Sequence, residues 1–199
     1  MNKSSLIIVG ICVVAFFIQL ALPIFEDTFL LVSSEVFARP WILITSMFLH
    51  GDFLHLFYNM LILSVFGIVL EKIIGTKKFL MVYFFGGLVS GIAVTLFYPA
   101  ALGASGAIMA VMGTLAVLRP KMRSIFYGMP MAAAAVFLMI VDFFGLFAPS
   151  GVANSAHLGG MILGLAAGLY LKKQYGEKPQ RKVKQIPEGS FSNWEDKWM

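Results

Sequence analysis

Two residues of this 199-residue chain are best suited to covalent chemistry, a serine among small residues and a histidine far along the sequence. The serine is Ser105, in the stretch Gly103-Ala-Ser-Gly106, and the histidine is His157. A serine hydroxyl becomes a useful nucleophile only when a base within hydrogen-bonding distance takes its proton, and histidine is the usual base. Small-residue clusters with a serine also let membrane helices pack closely, so the motif alone fits either role.

Two further polar residues share one helix face and could stabilise developing negative charge. His55 and Asn59 are four residues apart, so both side chains project from the same side of a helix. Both can donate hydrogen bonds to the oxyanion that forms when a serine attacks a carbonyl group. The alternative is that they hold helices together, as His and Asn side chains do in membranes.

The composition indicates that these residues belong to a membrane protein. Hydrophobic residues make up 59% of the chain and charged residues only 13%. A soluble domain of this size could not bury so much apolar surface. The net charge of +5 comes from basic residues that lie between apolar runs, which favours a topology signal over a nucleic-acid surface. The single cysteine, Cys12, can form no internal disulfide and no cysteine metal cluster.

Six apolar runs predict an all-α polytopic membrane protein, a six-helix bundle with mostly short connections. The runs cover residues 5–25, 51–70, 79–98, 104–118, 124–147 and 152–171. The first run is interpreted as an uncleaved helix, because it is long for a signal peptide and no cleavage site precedes the polar turn. The connection 26–50 mixes charged and apolar residues, which is typical of a segment lying at the membrane interface. We expect a membrane domain over 1–173 and a flexible cytoplasmic tail over 174–199.

The distribution of basic residues predicts the orientation. With six spans both termini lie on one side, and of the 15 Lys and Arg residues only Arg39 falls on the other side. Positive charge accumulates on the cytoplasmic side of a membrane. We therefore expect both termini in the cytoplasm and the segment 26–50 facing outward. A chain of this length suits a multi-pass protein of a bacterial plasma membrane.

The depth of each polar residue in the membrane can be estimated by counting residues from the cytoplasmic end of its helix, and the four estimates fall in one layer. At about 1.5 Å per residue, Ser105 lies about 21 Å and His157 about 22 Å above the inner boundary. The same count gives about 24 Å for His55 and about 18 Å for Asn59, within a hydrocarbon core of about 30 Å. The serine run is too short to cross the bilayer, so residues 99–102 must dip inward. We expect a cavity that opens outward with Ser105 at its floor.

Small residues predict that the serine and histidine helices meet. They recur at spacings of three and four on one face of each helix: Gly106, Ala110 and Gly113 on the first, and Gly160, Gly164 and Gly168 on the second. Such faces let two helices approach closely. The approach would bring Ser105 within hydrogen-bonding distance of His157.

No acidic residue is predicted to complete a catalytic triad. Asp142 is the only carboxylate well inside an apolar run. Its position in the fifth run, 124–147, places it near the outer boundary of the membrane. The sequence therefore predicts a Ser–His dyad.

The order and spacing of these residues resemble the rhomboid family of intramembrane serine proteases. Three stretches carry the resemblance: His50-Gly-Asp-Phe-Leu-His55-Leu-Phe-Tyr-Asn59, Gly103-Ala-Ser105-Gly106, and Ala156-His157-Leu-Gly-Gly160 with Gly164. Gly67, Glu71, Gly75 and Tyr83 also fit the usual spacing after the asparagine. The resemblance covers roughly residues 5–173, with the motifs in family order.

The resemblance implies a role for each site residue. Ser105 would be the nucleophile and His157 the general base. The oxyanion hole would combine the backbone N–H of Ser105 with the side chains of His55 and Asn59. The supporting residues would be His50, Gly103, Gly106 and Gly160.

The resemblance also implies the partners. The substrate would be a single-pass membrane protein, cut after a small residue near the outer end of its transmembrane helix. The segment 26–50 would be a membrane-embedded outer loop, and the fifth helix a lateral gate with Phe143 and Phe144 packing there. Substrate helices and the lipid bilayer are the expected partners, with no cofactor, no metal and no nucleic acid.

The chain departs from the family pattern at two places. Members often carry Trp-Arg in the outer loop, whereas Trp41 is followed here by Ile42 and Arg39 precedes it. Members often place a tyrosine against the catalytic histidine four residues after the serine, where this chain has Met109. A thioether can fill that space and contact the ring edge, so we expect an active site in which His157 is held more loosely.

Three other functions are weighed against a protease. A rhomboid-like protein that binds membrane clients without cutting them is the main alternative, although inactive relatives usually lack the serine or the histidine. A transporter function would predict internal sequence repeats, and the sequence shows none. An α/β-hydrolase predicts Gly-x-Ser-x-Gly after a strand, which the stretch around Ser105 does not match.

Overall fold

The computed structural model describes residues 4–126, 128–148 and 151–177, and within these ranges the chain is mostly helical. In chain order the elements are α1 (Ser4–Ala21), α2 (Pro23–Phe29), β1 (Leu31–Val32), α3 (Ile42–Thr45), α4 (Phe53–Ile62), α5 (Ile68–Ile74), α6 (Thr76–Phe97), β2 (Ala100–Ala101), α7 (Ser105–Leu118), α8 (Met131–Gly145) and α9 (Asn154–Tyr175). A π-helical turn, Leu63–Gly67, joins α4 and α5 into one long helix. The predicted all-α class is confirmed, and each of the six apolar runs contains one long helix.

The long helices differ in how much of a membrane they could cross. In the described part of the chain, three are long and apolar enough to span a bilayer: α1, the continuous helix Phe53–Ile74, and α6. The apolar helices α7 and α8 have only 14 and 15 residues, or roughly 21–23 Å of length. The prediction that the serine helix is too short to cross is therefore confirmed. The expected tail, 174–199, lies outside the described residues except for 174–177.

The fifth long helix begins later than the sequence predicted. The run was expected to start at 124, but α8 starts at Met131, directly after Pro130. Proline lacks the N–H that a helix interior needs and clashes with the preceding turn. The described residues on either side of it are instead linked by hydrogen bonds, in which the Ser124 N–H donates to the Met129 carbonyl at 2.8 Å and the Met131 N–H to the Met122 carbonyl at 2.8 Å.

The segment 26–50 is broken into short elements with one exposed and one buried side. Besides α2, β1 and α3 it contains two 3₁₀ turns, Ser33–Glu35 and Ser46–Phe48. Phe37 is fully exposed and Trp41 half exposed, whereas Ile42 is completely buried. These two faces fit the predicted amphipathic character. Its embedding in the membrane stays a prediction.

A two-residue strand pair that the sequence analysis missed ties this segment to the backbone leading into α7. Leu31 pairs with Ala101 and Val32 with Ala100 in antiparallel register. The Gly103 N–H also donates to the Ser46 carbonyl, at 2.9 Å. Non-helical backbone at membrane depth is tolerated only where its polar groups are satisfied by protein or water. The pairing supplies those partners beside Ser105.

The helix α7 forms the centre of the bundle and packs on α9 backbone to backbone. Every residue of α7 from Gly106 to Ala116 is buried, as expected for a helix that is apolar on all sides. A methyl group added at Gly160 would overlap the Gly106 carbonyl oxygen, and one at Gly164 the Ala110 carbonyl oxygen. The predicted close approach of the two small-residue faces is confirmed.

A buried carboxylate holds the first turn of α1 against α5. Glu71 is 1% exposed and accepts hydrogen bonds from the backbone N–H groups of Ser4 and Ser5, both at 3.1 Å. It also accepts from the Ser5 and Thr76 hydroxyls, at 3.0 and 2.9 Å. The N-terminal N–H groups of a helix lack partners within the helix, and a carboxylate there is favoured by the helix dipole.

Candidate active site

The structure brings Ser105 and His157 into contact. Ser105 is the first residue of α7, and its Oγ lies 2.9 Å from Nε2 of His157 near the start of α9. Gly103, two residues earlier, has a φ of 123°, a value that side-chain-bearing residues rarely adopt. The distance agrees with the packing that the glycine spacing predicted. The chemical roles of the two residues stay a prediction.

A carboxylate that the sequence analysis excluded contacts the same histidine. Oδ1 of Asp142, on α8, lies 2.9 Å from Nδ1 of His157. The Asp142 side chain is 8% exposed and that of His157 is 16% exposed. The expectation that no acidic residue reaches the pair was wrong. Both ring nitrogens have polar partners, and the looser orientation of His157 beside Met109 stays a prediction.

The misplaced start of α8 explains the error about Asp142. Counted from 124, Asp142 is 18 residues into its helix, or about 27 Å. Counted from Met131, where α8 begins, it is 11 residues in, or about 16 Å. The second value puts the carboxylate in nearly the same layer as the other polar residues.

His55 and Asn59 lie beside the serine on one face of α4. Asp52 caps this helix, accepting from the His55 N–H at 2.8 Å. The His55 ring packs against Gly103, since a methyl group there would lie 2.8 Å from Cε1 and 2.9 Å from Nε2. Asn59 donates one Nδ2 hydrogen to the His55 carbonyl at 2.8 Å. An amide nitrogen carries two hydrogens, so the second is available to a ligand.

His50 packs behind His55 rather than facing the serine. The two rings meet edge to face with centroids 5.1 Å apart, and His50 is 1% exposed. Among the described residues its ring nitrogens make no side-chain hydrogen bond, and the polar group beside the ring is the Phe48 backbone. Burial, and to a smaller extent the neighbouring His55, lowers the pKa of His50 to about 4. His50 is therefore neutral at physiological pH.

Gln19, which the sequence analysis did not single out, fixes the backbone of His50. Its Oε1 accepts from the His50 N–H at 3.1 Å, and its Nε2 lies 3.3 Å from the His50 carbonyl oxygen. The sequence did contain a sign of this contact, since Gln19 is a lone amide in the first apolar run. Polar residues inside a membrane helix are costly unless they have a partner. Gln19 thereby indirectly positions the ring that contacts His55.

A large cavity gives access to these groups. Its volume is about 1140 Å³, and its lining includes Ser105, His157, His55 and Asn59. Apolar residues of α4, α7 and the end of α8 complete the wall, and Met109 is among them. The predicted association of the serine with a cavity is thus observed.

The supporting glycines act through close contact. Gly160 meets the Gly106 backbone, and a methyl group on Gly106 would collide with the Ser90 side chain of α6. Gly103 leaves room for the His55 ring. Three helices can therefore converge on Ser105 only because these positions lack side chains.

Arg39 supplies hydrogen bonds within the outer segment, where Ile42 departs from the family pattern. Its Nη1 donates to the Asp27 carbonyl at 2.9 Å, and its Nη2 pairs with the Glu35 carboxylate. Ile42 is buried in a small apolar cluster with Leu31. The basic residue three positions before Ile42 thus ties the segment together.

The fold and the site define a class of protein, a helical membrane protein with a serine–histidine pair facing a cavity. Residues 38–174 match the family model described as the Rhomboid domain. The chain therefore belongs to the rhomboid family and is a multi-pass membrane protein.

Several relatives share a substantial part of the chain. The rhomboid protease GluP of Bacillus subtilis is 38% identical over 137 residues, which are 67% of this chain and 27% of the relative. The rhomboid protease GlpG of Yersinia pestis is 31% identical over 136 residues, 67% of this chain and 49% of the relative. Rhomboid protein 1, a mitochondrial protein of Saccharomyces cerevisiae, is 29% identical over 177 residues, 80% of this chain and 50% of the relative. The chain thus spans about a quarter to a half of the length of these relatives.

Proposed function

We propose that this protein is an intramembrane serine endopeptidase that cuts single-pass membrane proteins near the outer end of their transmembrane helix. The observation that carries the proposal is the 2.9 Å contact between Ser105 Oγ and His157 Nε2. The contact lies at a cavity within a bundle of apolar helices. The relatives' names as rhomboid proteases support the same activity.

In the proposed reaction Ser105 and His157 share one proton. Ser105 Oγ attacks the scissile carbonyl carbon while its proton moves to Nε2 of His157. Collapse of the tetrahedral intermediate breaks the C–N bond, and His157 returns the proton to the leaving amine. Water, deprotonated by the same histidine, then hydrolyses the acyl-enzyme and regenerates the serine.

In the proposed reaction, hydrogen-bond donors around the start of α7 stabilise the oxyanion of the tetrahedral intermediate. The backbone N–H of Ser105 belongs to the first turn of the helix, where N–H groups lack intrahelical partners and the helix dipole favours negative charge. The free Nδ2 hydrogen of Asn59 and the ring of His55 are the proposed side-chain donors. Each donor aimed at such an oxyanion contributes about 10²–10³ in kcat in well-studied hydrolases.

The cavities favour an unwound substrate segment with a small residue at the cut. The main cavity, about 1140 Å³, can hold several residues of extended chain. A second cavity of about 30 Å³ adjoins Ser105 and is lined by Gly103, Gly106 and Ala107. That space is small, which favours a small side chain at the cut. Cleavage after a small residue is therefore part of the proposal.

The proposal predicts that neither Ser105→Ala nor His157→Ala will cut a single-pass reporter in liposomes. We expect the intact chain to give a product and each variant to lose at least about 10³-fold in kcat/KM, with unchanged thermal unfolding. A relative with demonstrated protease activity, assayed with the same reporter, controls for reporter choice.

Product at the same rate from both variants would contradict the proposed chemistry. If the control relative cuts the reporter and the intact chain binds it without cutting, the client-binding alternative is favoured. Location in a plasma membrane, with both termini cytoplasmic, is proposed from the distribution of the basic residues.

A further inference from the structure

We infer that Asp142 is a positioning residue for His157, so that three helices supply a Ser–His–Asp arrangement where the sequence predicts a dyad. The inference rests on the proposed function, because it concerns how the proposed base is oriented. It assigns a role to the one charged residue of α8.

The distances form an unbroken chain of polar contacts. Ser105 Oγ lies 2.9 Å from Nε2, and Nδ1 of the same ring lies 2.9 Å from the Asp142 carboxylate. An ionised carboxylate can only accept hydrogen bonds. Beside an ionised carboxylate, a neutral ring is favoured with its proton on Nδ1, which leaves the Nε2 lone pair free to accept from the serine. This is the tautomer that a general base needs.

The surroundings of Asp142 argue against a surface charge that happens to lie near the histidine. Asp142 lies on the inward face of α8 with Met131, Ala134 and Ala135, and all four are buried. A carboxylate among apolar side chains in a membrane helix is costly unless it is paired. The His157 ring is the polar partner that the structure places beside it.

Met109, four residues after the serine, cannot take over the orienting role that we assign to Asp142. Met109 lines the same cavity as His157, and its thioether is a weak acceptor with no hydrogen to donate. It can pack against the ring but cannot select a tautomer. Asp142 performs that selection.

The inference predicts that Asp142→Asn lowers kcat without weakening substrate binding. An asparagine side chain keeps the shape, but its amide nitrogen can donate to Nδ1 and favour the tautomer with the proton on Nε2. We expect kcat to fall by up to about 10⁴-fold, the loss known for this change in a hydrolase triad, with KM within about twofold. Asp142→Glu, which restores a carboxylate, should recover part of the loss.

The matched control is Asp27→Asn, the same chemical change at an exposed position of α2. It should leave kcat and KM unchanged. Thermal unfolding of every variant separates lost orientation from lost folding. A kcat for Asp142→Asn equal to that of the intact chain, with folding preserved, would overturn the inference.

A spectroscopic measurement tests the contact independently of proteolysis. The chain has three histidines, so ¹⁵N-histidine labelling gives few signals, which His50 and His55 variants can assign. At neutral pH we expect His157 to carry its proton on Nδ1 in the intact chain and partly or wholly on Nε2 in Asp142→Asn. An unchanged tautomer would overturn the inference. If the intact chain shows no Ser105-dependent cleavage, the proposed function fails, while the tautomer still decides whether Asp142 orients the ring.

Discussion

His50 is held at two places. Gln19 binds its backbone, and the ring of His55 packs against its ring. The side-chain amide of Gln19 brackets the His50 peptide groups, and the His55 ring meets the His50 ring edge to face. The ring therefore has a fixed place in an interior where its nitrogens gain nothing from water. A neutral ring tolerates this position, and a charged one does not.

This burial predicts that the protein loses stability as the pH falls from about 6.5 to about 4. Because the folded-state pKa of His50 is lowered to about 4, the unfolded chain binds a proton in that window and the folded protein does not. The loss approaches about 3 kcal/mol at its full extent. Thermal unfolding between pH 4 and 7 should show a shallower decline for His50→Leu than for the unchanged chain. Equal declines would show that His50 does not contribute.

Among the site residues, those that lie at a regular spacing on one helix could be predicted from the sequence. The pair His55 and Asn59 was visible because four residues make one helical turn. Gln19 and Asp142 are isolated in their apolar runs, and each contacts a residue outside its own helix. A solitary polar residue signals that a partner exists, but its spacing does not say which one.

At the scale of elements, the α7–α9 contact determines where the serine and the histidine lie. The contact consists of glycine against carbonyl oxygen at Gly160 and Gly164. Side chains can shift to relieve an overlap, whereas two backbones must move apart. The distance between the two catalytic candidates is therefore set by positions that carry no functional group.

Gly164→Ala is predicted to separate these helices and impair the site. The added methyl group would overlap the Ala110 carbonyl, and overpacking of this kind costs about 1–3 kcal/mol. We expect a lower unfolding temperature and at least about a tenfold loss of kcat, since a displacement of about 1 Å can cost 10²-fold. The control is Gly10→Ala on α1, where a methyl group meets nothing within 4 Å. Similar effects from both substitutions would contradict the prediction.

Apolar runs and glycine spacing were sufficient to predict the long helices and their central contact, because both are local, repeated patterns. The start of α8 was missed, although Pro130 marks it, because an apolar run continues on both sides of that proline. The β1–β2 pair was missed for another reason. Each strand has two residues, too few for an alternating pattern, and the partners are about 70 positions apart.

At the scale of the whole molecule, the charges are divided between the two ends of the bundle. Lys78 donates to the Tyr175 hydroxyl at 2.6 Å, and Arg119 donates to the Tyr175 carbonyl at 2.6 Å. These basic residues join the ends of α6, α7 and α9 at the end of the bundle away from Ser105. Arg39 lies in the segment at the other end, where its charge is paired with Glu35.

This division predicts a labelling pattern in intact cells. Cys12 is completely buried, so a membrane-impermeant maleimide should not react with the unchanged chain. Asp27→Cys, in the outer segment, should be labelled from outside the cell. Lys121→Cys, in the loop between α7 and α8, should be labelled only after the membrane is permeabilised. The reverse pattern would contradict the proposed orientation, and labelling of the unchanged chain would reveal access to Cys12.

The order of α7, α8 and α9 along the chain has a consequence for biosynthesis. The serine is made first, the carboxylate 37 residues later and the histidine another 15 residues later, counting from Ser105 to Asp142 and from Asp142 to His157. A nascent chain that has inserted only α7 carries Ser105 without His157, its proposed base. The contact between them can form only when α9 has been translated and packed against the glycine face of α7. The proposed capacity for hydrolysis would therefore arise as one of the last events of membrane insertion.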